Sequence, residues 1–126
     1  MAHLSPVERE RRKLNYLGGT YIRKLREKRG ISKKDLADKL KVEVGQLFID
    51  QVEVGIFPIP EDKYRVAAEA LGVNTRDLVV KTLMYWQPEI YEVLFGAPSE
   101  NELTGHLTHD ELYTLEDRID KIEVFK

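Results

Sequence analysis

Lysine and arginine are the residues whose spacing in this chain most clearly implies chemistry. Residues 1–41 hold 13 of them against 5 Asp/Glu, a net of +8, whereas residues 42–126 hold 7 against 17, a net of −10. The whole-chain total of −2 is the near-cancellation of these two fields. Opposed fields of this size on one small protein imply two surfaces with different partners. Other chemistries find little support. There is no cysteine, which excludes disulfides, thiol nucleophiles and thiolate metal sites. His106 and His109 stand three apart and precede Asp110 and Glu111, but no third histidine clusters with them, so neither a metal site nor a cofactor is expected. No nucleophile–base pair and no phosphate-cradling glycine run marks an enzyme, and Gly18-Gly19 reads as the start of a helix.

The elements that must position these residues are helical. The 126 residues, 42% of them hydrophobic, suffice for one domain with a buried core plus extensions. Leu17, Tyr21, Ile22 and Leu25 recur at three- and four-residue spacings, which predicts a helix over 15–29 that Gly30 ends. Ser32 and Asp35 have the spacing of a capping box and open a second helix with Leu36, Ala37 and Leu40 on its buried face. A third is predicted over 44–54, with Leu47, Phe48, Ile49 and Val52 as its apolar positions. Pro60 leads into a fourth, with Tyr64, Ala67, Ala68 and Leu71 as its stripe. Asn74 opens a fifth that Pro88 interrupts, and a short helix follows over 89–95.

Residues 96–107 have linker composition, and the tail from Thr108 is acidic and periodic. These features predict an all-α protein: a basic arm over 1–17, a compact five-helix domain over 18–87, a short helix and linker over 88–107, and an acidic amphipathic helix over 108–126. No apolar run reaches the roughly 20 residues of a membrane span. The N-terminal residues lack a signal-peptide core, so a cytoplasmic location is expected.

A basic helix followed by a short helix, a tight turn and another helix is the arrangement that sets one helix into the major groove of DNA. The residues carrying it are Gly19, Ile22-Arg23, Leu25-Arg26, Arg29-Gly30-Ile31-Ser32, Asp35-Leu36-Ala37, Leu40, Val42, Val52-Glu53, Gly55, Pro60 and Ala70-Leu71-Gly72-Val73. In this order they resemble the XRE, or phage-repressor-like, helix-turn-helix family. The resemblance implies a compact repressor-like fold and a transcriptional regulator that binds double-stranded DNA through residues 32–55. It also implies a structural ion pair between Arg26 and Glu53. Lys41 stands where the family usually has a turn glycine, and Glu43 where it usually has a small hydroxyl residue. About two extra residues separate Ala37 from Val52-Glu53.

On this reading Arg23, Lys33, Lys34, Lys39 and Lys41 are the candidate phosphate contacts, which supply affinity but little sequence information. Gln46 and Gln51 are the candidate base readers, because an amide pairs with the edge of adenine. Glu43 and Asp50 would be repelled by phosphates. One motif reads a half-site, so a homodimer is expected. Two segments would supply its interface: Trp86, Tyr91, Leu94 and Phe95, or the heptad-spaced Leu112, Leu115, Ile119 and Ile122. Each of these segments would equally serve as a cap on its own domain. The alternative function is a protein-interaction module on the same scaffold, an adaptor or antitoxin-like protein, with the acidic tail available to a protein partner.

Overall fold

The computed structural model describes residues 4–121. Among them are nine α-helices and one 3₁₀ turn, and no strand. Helix α1 runs from Pro6 to Arg29, far earlier than the periodicity indicated. Its start is a complete capping box, in which the Ser5 hydroxyl accepts from the Glu8 amide and the Glu8 carboxylate accepts from the Ser5 amide, with Pro6 at the first helical position. The expected basic arm is therefore the first half of α1, and Gly18 and Gly19 lie in the middle of that helix rather than at its start.

Helices α2 (Lys33–Leu40) and α3 (Gln46–Glu53) follow, then the 3₁₀ turn Glu61–Lys63, α4 (Tyr64–Leu71) and α5 (Thr75–Trp86). Ile22 of α1 packs with Leu36, Ala37, Leu40, Ile49, Val52, Ala67, Leu71 and Leu78 in one core. Helix α1 is long enough to enter a second core through Leu17, beside Met84 and Tyr85 of α5. Helix α6 (Pro88–Phe95), α7 (Glu100–Thr104), α8 (His109–Tyr113) and α9 (Leu115–Lys121) complete the chain.

The segment of linker composition is folded. Ser99 and Glu102 form a capping box for α7, and the Tyr85 hydroxyl donates to the Leu103 carbonyl at 2.8 Å. The acidic tail is two short helices broken at Thr114, not one. Leu115, Ile119 and Tyr91, three of the residues expected at a dimer seam, are buried together in the second core. The heptad spacing is met inside the monomer, because α1 and α5 offer a nearer apolar surface than a second chain. Ile122 lies outside the described residues. Trp86 is half-buried, while Leu94, Phe95 and Leu112 are exposed.

His106 belongs to this packing rather than to a solvated linker. Its Nε2 is hydrogen-bonded to the Leu17 carbonyl at 3.1 Å, and its ring meets Tyr21 and Tyr85 edge-on. Burial, only partly offset by that carbonyl, pushes the imidazole pKa down to about 4. The folded state thus holds fewer protons than the unfolded chain between the ordinary histidine pKa of about 6.5 and about 4. Stability is accordingly full above about pH 6.5 and declines as pH falls toward 4. Urea titrations across that window are expected to show the decline, and His106→Gln, which keeps a donor for Leu17 but does not titrate, is expected to flatten it.

Candidate nucleic-acid interface

The backs of α2 and α3 are closed by the core, and their orientation is set from α1. Arg26, on α1, donates from Nε to Glu53 Oε2 at 2.7 Å and from Nη2 to Oε1 at 3.1 Å, a two-pronged pair with both residues buried. A third guanidinium donor reaches the Ile31 carbonyl at 3.0 Å, so one side chain joins α1, the α1–α2 turn and the end of α3. Beside it α3 abuts the backbone of α1. A Cβ placed on Gly19 would stand 2.4 Å from the Glu53 carbonyl oxygen and 2.5 Å from that of Val52. Glycine at this position is what permits the crossing.

Between α2 and α3 the chain makes a longer turn than the predicted helix over 44–54 allowed. Lys41 caps α2 in the left-handed region at φ 57°, a conformation that favours glycine. Gly45 precedes α3 at φ 62°. Glu43 and Val44 thereby fall in the turn, which accommodates the two extra residues without lengthening α3. Leu47 is not a core position: it is 55% exposed, and with Val44 at 61% and Val54 at 41% it forms an outward apolar strip flanked by Gln46, Asp50 and Gln51.

Residues 22–78 match the family model for the helix-turn-helix. This segment is a helix-turn-helix domain. No curated protein and no solved structure matches the chain. Domains of this family belong to DNA-binding regulators rather than to enzymes, and among the described residues no helix is long and apolar enough to cross a membrane.

Within the helix-turn-helix the basic side chains divide into paired and unpaired. Lys33 meets Asp50 at 2.7 Å and Lys34 meets Asp38 at 2.8 Å. The first of these neutralises the carboxylate on the outward face of α3. Arg23 and Lys24 of α1 both reach Glu111 of α8, at 2.9 and 2.7 Å. Burial alone would raise the Glu111 pKa, but Lys24, the Thr108 amide and hydroxyl, and Arg23 together hold it down to about 2. Lys39 and Lys41 make no ion pair among the described residues. Arg9, expected on a free arm, pairs with Glu116 at 2.7 Å and also with Asp120, and Arg11 pairs with Glu89 at 2.7 Å.

Sequence reasoning passed over Glu111, Arg118 and Lys121. For Glu111 the available signal was its position three residues after Thr108, which is the capping box that now starts α8. Arg118 and Lys121 carried no local signal, since what distinguishes them is what α9 faces.

Two outcomes test this framework. Arg26→Met is expected to cost about 3–5 kcal/mol in urea unfolding by leaving Glu53 buried without its partner, and Arg26→Met with Glu53→Leu to recover most of that. Gly19→Ala is expected to destabilise by about 1–3 kcal/mol although alanine favours a helix by about 1 kcal/mol, because the contacted atoms are backbone and cannot rotate away.

Proposed function

We propose that this protein is a sequence-specific transcriptional regulator that binds double-stranded DNA through residues 32–55, as a homodimer, in the cytoplasm. The observation that carries the reading is the locking of α3: the buried Arg26–Glu53 pair and the Gly19 crossing fix its inner side and leave Gln46, Leu47, Asp50 and Gln51 facing outward. Lys39 and Lys41 supply phosphate contacts directly. Lys33 and Lys34 do so by exchanging exposed carboxylate partners for phosphates, an exchange of low cost because such surface pairs contribute only about 0–1 kcal/mol each. Arg23 does so from the half-buried Glu111, which keeps Lys24 as its partner.

The outward face of α3 carries amides, aliphatic groups and the Lys33-paired carboxylate of Asp50, and neither lysine nor arginine. It therefore suits adenine edges, through Gln46 and Gln51, and thymine methyl groups, through Leu47 and Val44, and it lacks the arginine fork that reads guanine. Dimerisation is assigned to α6, whose Val93 and Leu94 are 86% and 61% exposed beside Ile90 and Phe95. That same strip is the feature favouring the second reading, an adaptor that binds another protein there.

Selection from a random duplex library, followed by anisotropy titrations at several salt concentrations, tests the proposal. Binding that weakens steeply with salt is expected, at sites rich in A·T. Replacing a contacted thymine by deoxyuridine is expected to weaken binding about fourfold per methyl lost, from about 0.8 kcal/mol per methyl, and Leu47→Ala to abolish that sensitivity. Absence of binding at low salt, with a monomer that Val93→Glu leaves unchanged in sedimentation, sinks the reading.

A further inference from the structure

The C-terminal extension has most of the charges of α9 sorted by face, with Asp117 between the two sides. It runs back along α1, since Glu111 meets Arg23 and Lys24 while the later Glu116 meets Arg9 and Lys13. Burial of Leu115 at 5% and Ile119 at 0% exposure fixes the rotation of α9 about its axis. At about 100° per residue, Glu116 and Asp120 then share one side of α9, and Arg118 and Lys121 another about 150° away. The acidic side is consumed by Arg9 and Lys13 of α1. The basic side, by contrast, faces a cleft of about 640 Å³ whose opposite wall includes Lys33, Asp50 and Val54 beside the recognition helix.

Every carboxylate lining that cleft has a cation already. Asp50 has Lys33, Glu53 has Arg26, and Glu111 has Arg23 and Lys24. Arg118 and Lys121 make no ion pair among the described residues, and both are exposed. The cleft thus holds a surplus of positive charge next to Lys33, at the start of α2. We infer that Arg118 and Lys121 form a second phosphate-binding edge, which grips the DNA backbone alongside the strand that Lys33 contacts. The extension, acidic by composition, extends the DNA-binding surface instead of avoiding it. This rests on the DNA-binding reading above and adds two contacts that the helix-turn-helix itself does not contain.

Each phosphate neutralised contributes about −0.9 to the slope of log K against log salt concentration. Arg118→Ala with Lys121→Ala, in the full chain and with unchanged helical circular dichroism, is expected to make that slope shallower by about 2 and to shorten the hydroxyl-radical footprint at one edge of each half-site. An unchanged slope, an unchanged footprint or tighter binding by the double variant overturns the inference while leaving the helix-turn-helix reading intact. Failure of the wild-type chain to bind DNA at low salt overturns both. Variants that unfold are replaced by Arg118→Gln with Lys121→Gln, which retain length and polarity and are read by the same slope.

Discussion

The buried pair of Arg26 and Glu53 is the interaction on which the arrangement of this protein depends. A guanidinium and a carboxylate removed from water need partners, and here each oxygen of Glu53 accepts from Arg26 while the remaining guanidinium nitrogen donates to the Ile31 carbonyl. Because Glu53 ends α3 and Arg26 lies on α1, satisfying the pair also sets α3 against the long helix. Gly19 then lets the two backbones come closer than any side chain would permit. Orientation of α3 follows from these two contacts, and with it the set of side chains left outward.

Helix α1 makes a second arrangement possible. Twenty-four residues are about 36 Å of helix, roughly twice what the helix-turn-helix core needs, and the surplus half carries Arg9, Arg11 and Lys13. A basic helix of that length requires counter-charge, and the acidic half of the chain provides it through Glu89, Glu116 and Asp120. Glu111 does the same farther along for Arg23 and Lys24. The two opposed charge fields therefore meet in part within the chain, along α1 and its neighbours, rather than standing wholly on two separate surfaces. Lys39, Lys41, Arg118 and Lys121 are among the cations that these pairs leave over.

Much of the domain was legible in the sequence because its signals are local. Ser32 with Asp35, Gly30 after α1 and Asn74 before α5 cap helices through atoms two to four residues away, so their types suffice to place helix ends. The resemblance brought Arg26 opposite Glu53. Boundaries failed where a competing local signal was overlooked: the Ser5–Glu8 box that starts α1 nine residues early, and the Ser99–Glu102 box inside a segment of linker composition. The spacing of Leu112, Leu115 and Ile119 was read correctly as helical and amphipathic, but periodicity does not say whether the surface that covers it belongs to the same chain.

By itself, then, the sequence determined that the chain is helical, where most of its helices are capped, that it carries a helix-turn-helix, and that its charge is divided at about residue 42. Those properties depend on interactions within a few residues of one another. Only the tertiary structure decided how the charge is used. Lys33 with Asp50 is 17 residues apart in sequence, Arg23 with Glu111 is 88, and Arg9 with Glu116 is 107. Pairings at such separations depend on helix packing and on the rotation that Leu115 and Ile119 impose on α9, neither of which any local pattern encodes.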